Sequence, residues 1–323
     1  MRLPRLALYT SFSMISKDPD FPPWSANSTL YHVYSIWLFT FSDFKTIIAP
    51  STAFSILHKL ASPSFGVEHD PETTTLRLVT QTATVAGWAW INLLPFAIDN
   101  QPQVNSIEED RHNKPWRPLP SARMTPKQAT NVMLTSYPAA ILASIYLGAP
   151  LQSVTLLGLG IWYNDLRGAD ANWLIRNFIN ACGFVCYTSG ALQVALQVPL
   201  FFNETLIKWF IVIGAIVFST VQAQDMHDQA GDKKRSRGTA PLVLGDHLAR
   251  WTIAMPMVFW CWFCPWFWSV PMDGYTLPVA LGGTVAIRTL FKRTVDDDKA
   301  TFRFWNLWLV SLYTLPLFQL KLG

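Results

Sequence analysis

The sequence predicts an all-α integral membrane protein built as one domain over residues 1–323. Three observations carry that expectation. Only 14% of the residues are charged and half are apolar, whereas soluble domains carry about 25% charged residues. Aromatic side chains make up a further 14%, with 15 Trp and 21 Phe. The apolar residues also come in long runs. In hydrocarbon every backbone N–H and C=O needs a partner within its own segment, so such runs form helices.

Nine runs follow in order: 31–57, 79–98, 129–148, 151–164, 174–197, 206–224, 251–270, 277–291 and 303–320. Seven approach the ~20 residues that a helix needs to cross a bilayer, and the fourth and eighth are short. Charge parity argues for the fourth. The loop after the second run holds Arg111, Lys114, Arg117, Arg123 and Lys127, and the loop after the sixth holds Lys233, Lys234, Arg235 and Arg237. If all nine runs span, 18 of the 25 Lys and Arg residues share one side with the N-terminus. The other side gets Lys59, Arg77, Lys208 and Lys321. Removing the fourth run sets the two basic loops against each other, contrary to the positive-inside rule. Nine transmembrane helices with a cytosolic N-terminus are expected. The sequon at Asn203 then lies on the far side and the one at Asn27 on the cytosolic side.

The net charge of +4 is too small and too dispersed for nucleic-acid binding to be the main task. Cys182, Cys186, Cys261 and Cys264 lie inside apolar runs; the 261/264 pair has zinc-like spacing but no second pair or nearby His to complete a site. They read as packed apolar side chains. No cleavable signal layout is seen at the N-terminus, so insertion is expected from the internal segments.

Acids are scarce and clustered. One group runs from Asn105 through Glu108, Glu109, Asp110 and Arg111 to Asn113, Lys114, Pro115, Arg117 and Pro118. The other holds Asp225, Asp228, Gly231, Asp232, Lys233 and Lys234. Both sit where a helix meets a basic loop. If helical, Asn105 and Glu109 share a face, as do Asp225, Asp228 and Asp232. Such stacked carboxylates repel one another unless a cation intervenes. Hard oxygen ligands suit Mg²⁺, which bridges carboxylates to substrate phosphates. Asn105, Glu109, Asp110, Asp225, Asp228 and Asp232 are therefore the candidate catalytic and metal-binding residues. Lys114, Arg117, Lys233 and Lys234 are candidates for the phosphate oxygens. The chemistry implied is loss of pyrophosphate from a bound diphosphate.

The second group resembles the second aspartate-rich motif of the UbiA superfamily of intramembrane prenyltransferases. The run Asn113-Lys114-Pro115-x-Arg117-Pro118-Leu119-Pro120-Ser121 is similar to the segment after that family's first motif. The likeness covers nearly the whole chain and implies nine helices around a central cavity. The first motif departs from the prenyltransferase pattern: Ser106 replaces the Asp after Asn105, and Glu109 and Asp110 follow. An alternative register takes Asn100 as the motif Asn, but Pro102 would break the helix joining it to the acids. The Glu-Asp version resembles a fungal branch of membrane-bound terpene cyclases, of the fumagillin sesquiterpene and cyathane diterpene type. The resemblance implies a Mg²⁺-dependent class I cyclase acting on farnesyl or geranylgeranyl diphosphate in the bilayer, on the endoplasmic reticulum of a fungus, with its motifs facing the cytosol. Prenyl transfer to an aromatic or polyketide acceptor is the alternative, and a transporter or scaffold is a third reading.

Three further features are open. Ring faces among Trp251, Phe259, Trp260, Trp262, Phe263, Trp266, Phe267 and Trp268 stabilise a carbocation or form interfacial belts and helix packing. Arg176 and Asn177 resemble a polar patch of the family: they line the pocket, or they are interhelical hydrogen-bonding residues. His112 and His227 are either proton acceptors or solvated loop residues.

Overall fold

The computed structural model describes residues 28–67, 74–103, 106–200 and 203–320. Among them every regular element is helical. All nine apolar runs become helix. The first is not one rod. It forms α1 (Thr29–Thr40), a 3₁₀ turn (Phe41–Asp43), a π-helical turn (Phe44–Ile48) and α2 (Ala49–Leu60). Pro50 sits at the start of α2; lacking an N–H, it cannot close the hydrogen bond back to Thr46, so the preceding turn widens.

The second run is α3 (Thr75–Asp99), followed by the short α4 (Ser106–Asn113) that carries the first acidic group. The third and fourth runs are α5 (Pro126–Leu147) and α6 (Pro150–Tyr163). A capping box between Thr125 and Gln128 starts α5, and Gly148, at φ 88°, ends it. Pro150 then opens α6 almost at once, giving a tight antiparallel hairpin. Helix α6 has 14 residues, roughly 21 Å at the α-helical rise.

A short α7 (Gly168–Ala171) leads into α8 (Trp173–Leu196), and α9 (Glu204–Thr220) is the sixth run. The second acidic group spans a 3₁₀ turn (Val221–Gln224), an irregular turn and α10 (Gln229–Arg235). Then come α11 (Ala240–Leu244), α12 (Asp246–Phe267), α13 (Asp273–Phe291), α14 (Val295–Leu312) and α15 (Pro316–Gln319). Helix α8 is central, packing against α2, α3, α6, α7 and α9, while α12, α13 and α14 pack in series. Gly190 of α8 is where Trp88 of α3 presses in; a Cβ there would collide with the indole. Two helices, Trp173–Leu196 and Glu204–Gln224, are long and apolar enough to cross a bilayer by themselves.

The ring-rich run of α12 faces mostly outward. Trp251, Phe259, Trp262 and Trp266 are 43–66% exposed, while Trp268 is buried against Trp209. Cys261 and Cys264 are buried with free thiols, and Cys182 and Cys186 are half-buried. Asn203 caps α9 and also donates to the Phe65 carbonyl at 2.6 Å; Asn27 lies outside the described residues.

Candidate active site

Helices α4 and α10 pack against each other, and the sequence between motif residues explains why they can. Gly231 faces α4 so closely that a Cβ would strike the Asn113 side chain and sit 3.1 Å from Glu109 Cγ. That approach brings the two acidic groups together. Asn105 lies outside the described residues.

Consecutive residues of α4 reach different partners. The Arg117 guanidinium donates to both Asp110 oxygens, at 3.0 and 2.9 Å, with both side chains 5% exposed. Glu109 turns toward the end of α10, where Arg235 lies at 3.6 Å, and toward Arg237 just beyond it, at 3.2 Å. Arg237 also donates to Asp232 at 3.0 Å, and both arginines approach Asp170 at 3.2 Å. Ser106, which stands where an Asp was expected, accepts from Arg235 at 2.6 Å. On α8, Arg176 donates to Asp225 at 2.9 Å and to the Tyr163 hydroxyl at 2.6 Å. Its neighbour Asn177 instead ties α8 to the end of α9, donating to the Phe218 carbonyl and to Gln222. Of the two, only Arg176 belongs to the site.

The three aspartates of the second group do not stack on one continuous helix. The turn after Gln224 breaks the register, leaving Asp225 and Asp232 buried and Asp228 half-buried ahead of α10. Helix α10 puts Asp232 and Arg235 on its inner face and turns Lys233 and Lys234 out to solvent; Lys114 is half-buried in the loop after α4. The inner cations are thus Arg117, Arg176, Arg235 and Arg237. Planar guanidinium groups suit buried carboxylates better than lysine ammonium groups do.

Burial raises the Glu109 carboxyl above its ordinary range against the pull of Arg237 and Arg235. Burial, with the neighbouring Asp232 charge adding and Arg176 opposing, lifts Asp225 from 3.8 to about 6. Burial likewise lowers His227, which keeps it neutral and a poor match for a solvated loop residue. The His112 side chain lies outside the described set.

Among the described residues, no three His, Cys, Asp or Glu side chains converge on one point. The donor set nevertheless fits a cation. Asp225 and Asp232 each place one oxygen on an arginine, and the second oxygen of each is buried without a hydrogen-bond partner. Orphaned carboxylate oxygens of this kind are hard ligands suited to a cation.

Beside Tyr163 lies an apolar cavity of about 70 Å³, lined by residues of α3, α6, α8 and the π turn. Leu93, Phe96, Leu156, Tyr163, Phe184 and Tyr187 line it. The rings that line this cavity come from α3, α6 and α8, and none of its lining residues is on α12. Tyr163 joins the two regions: its hydroxyl meets Arg176 and its ring packs edge-on against Phe96, 5.3 Å between centroids.

Residues 61–308 match the model of the UbiA prenyltransferase family. The chain belongs to that family. It is 27% identical over 286 residues to the fumagillin beta-trans-bergamotene synthase of Aspergillus fumigatus, covering 88% of this chain and 92% of that one. It is 26% identical over 305 residues to the somaliensene A/B synthase of Streptomyces somaliensis, covering 88% and 93%. Among solved structures, a UbiA homologue from Archaeoglobus fulgidus bound to DMAPP and Mg²⁺ superposes with a TM-score of 0.56 at 11% identity, covering 85% of this chain and 98% of that one. The all-α UbiA fold and the likeness to the family's terpene-synthase branch therefore stand. Because these relatives come from a fungus and a bacterium, the likeness does not choose the organelle.

Proposed function

We propose that this protein is a membrane-bound class I terpene cyclase that converts a linear C15 or C20 isoprenyl diphosphate into a cyclic terpene and pyrophosphate. One observation carries the reading: a polar cluster of buried carboxylates and arginines meets an aromatic-lined apolar cavity at Tyr163, which accepts from Arg176 and lines the cavity. That is the division an isoprenyl diphosphate needs, with its charged head in one region and its hydrocarbon tail in the other. The names of the two synthase relatives agree with cyclisation. In this reading nine helices cross the membrane and both motifs face the cytosol. For a fungal chain that membrane is the endoplasmic reticulum.

Asp225 and Asp232, whose second oxygens are orphaned, would hold Mg²⁺ together with Asp228 and, from the first motif, Asn105, Glu109 and Asp110. When bound, Mg²⁺ stabilises the charge that develops on the leaving diphosphate. Arg176 and Arg237 hold Asp225 and Asp232 in place, and Lys114 would meet phosphate oxygens. The allylic C–O bond breaks and its electron pair leaves with pyrophosphate. A distal double bond then attacks the cation within the cavity, where the faces of Phe96, Phe184 and Tyr187 stabilise positive charge. Proton loss or water ends the reaction. The cavity is smaller than the roughly 300–1,000 Å³ of ordinary ligand pockets, so α3, α6 and α8 must part to admit the chain.

The test is to supply membranes bearing the protein with Mg²⁺ and geranyl, farnesyl or geranylgeranyl diphosphate, without an acceptor, and to analyse a hexane extract by gas chromatography–mass spectrometry. A cyclic terpene is expected from the native chain and none from Asp225→Asn. No hydrocarbon with any of the three, while the diphosphate still binds, overturns the cyclase and points to prenyl transfer to an acceptor.

A further inference from the structure

Two voids share one wall. Beyond the apolar cavity of about 70 Å³, a smaller void of about 10 Å³ lies between α3, α5 and α6. Phe96, Leu156 and Gly160 line both. Gly160 brings no side chain to that wall, and a Cβ there would stand 3.5 Å from Phe96 Cδ2. The partition is therefore made by the Phe96 ring and Leu156.

The small void has the size and the chemistry of a single water site. Asn92, Tyr137 and Ser153 line it. Ser153 donates to Asn92 Oδ1 at 2.6 Å, and Asn92 in turn donates to the Trp88 carbonyl and to Ser144. With its proton spent on Asn92, the Ser153 oxygen keeps its lone pairs for another donor. Pro95 also lines the void and has no N–H, so the Ile91 carbonyl one turn earlier loses its helical partner. A void of roughly 10–15 Å³ with two to four polar partners holds one water. The large cavity differs in what happens when substrate enters. A hydrocarbon tail fills it and displaces its solvent, whereas the small void is too narrow to admit any part of the tail and keeps its water.

We propose that Phe96 is a barrier that holds one buried water away from the carbocation, so that the native reaction ends by proton loss and yields a hydrocarbon. In the native chain the electron pair of a C–H bond beside the cationic carbon becomes the new double bond, and the proton passes to the departed pyrophosphate. Without the ring, a lone pair of the water forms a C–O bond to the cationic carbon. The surplus water proton then goes to pyrophosphate, and the product is a terpene alcohol. The choice of product rests on the cyclase reading; the separation of the two voids does not.

Two measurements test the two parts. In the first, the full chain in detergent receives short X-ray pulses, and side chains oxidised by radicals from adjacent water are located by mass spectrometry. Tyr137, on the small void, should be oxidised at least threefold faster than Tyr187, on the large one. Phe96→Ala should raise the Tyr187 rate at least threefold, and Phe96→Leu, which keeps an apolar block without the ring, should leave it unchanged. In the second, membranes are supplied with farnesyl or geranylgeranyl diphosphate in ¹⁸O-labelled water. Hydrocarbon is expected from the native chain and, more slowly, from Phe96→Leu, and an ¹⁸O-labelled alcohol from Phe96→Ala. Native Tyr187 oxidised as fast as Tyr137 overturns the separation with no variant needed. An alcohol from the native chain, or hydrocarbon alone from Phe96→Ala, overturns the barrier. The expected oxidation pattern in chains that make no terpene overturns only the cyclase.

Discussion

Replacing Arg176 by Met keeps most of the stem and removes the guanidinium that pairs with Asp225. Both partners are buried, at 7% and 1% side-chain exposure, and the bond is 2.9 Å. Removing one member of a buried pair leaves the other charge uncompensated, at about 3–5 kcal/mol. The lost hydrogen bond to the Tyr163 hydroxyl adds about 1 kcal/mol. Asp225→Asn alone strands Arg176 in the same way. In the double variant neither charge is left alone, so the two losses should fall short of additivity by about 0.5–3 kcal/mol. Reversible unfolding in mixed detergent micelles, followed by tryptophan fluorescence, measures all four corners of the cycle. An Arg176→Met loss below about 1 kcal/mol, or strictly additive losses, refutes the claim that this pair organises the site.

Three other outcomes are expected. Lys233→Gln and Lys234→Gln, on the outer face of α10, should change KM for the diphosphate less than twofold, whereas Arg237→Gln, which meets Glu109, Asp170 and Asp232, should lower kcat/KM at least a hundredfold in steady-state assays. Gly183 lines the cavity with nothing within 4 Å of where a Cβ would sit; Gly183→Leu should cut terpene formation at least tenfold and leave inhibition by added pyrophosphate unchanged. Asp225, lifted to about 6, must be ionised to hold a cation, so a pH–rate profile should show its acid limb near pH 6 rather than near 4. Stability runs the other way. A carboxyl with a raised folded-state pKa stabilises most below pH about 4, and that contribution is lost as pH rises through about 6.

Much of the fold was legible because hydrocarbon imposes a simple rule: apolar runs become helices. The break in the first run was not legible in this way: 31–57 reads as one span, and the signal lay in one missing N–H, that of Pro50, inside an otherwise apolar stretch. The site was read in halves. Scarcity pointed to Glu109, Asp110, Asp225 and Asp232. Of their partners, Arg117 and Arg176 stood out, for phosphate oxygens and the pocket rather than for the acids, while Arg235 and Arg237 read with the lysines as loop charges. Helical periodicity held the missing signal: with Asp232 inward, Arg235 follows on the same face and Lys233 and Lys234 cannot. Tyr163 and Asp170 gave no such signal, since only the packing of α6 and α7 against α8 brings them to the motifs.

The buried cluster has an electrical consequence. Glu109, Asp110, Asp170, Asp225 and Asp232 set five negative charges against the four guanidinium groups of Arg117, Arg176, Arg235 and Arg237. On the proposed reading, a cluster whose ion pairs carry one more carboxylate than guanidinium groups would repel a bare diphosphate and accept one that arrives already neutralised by a cation. It would thereby discriminate between a lone anion and an ion complex before any side chain moves, and free pyrophosphate, stripped of its cation, would be driven out.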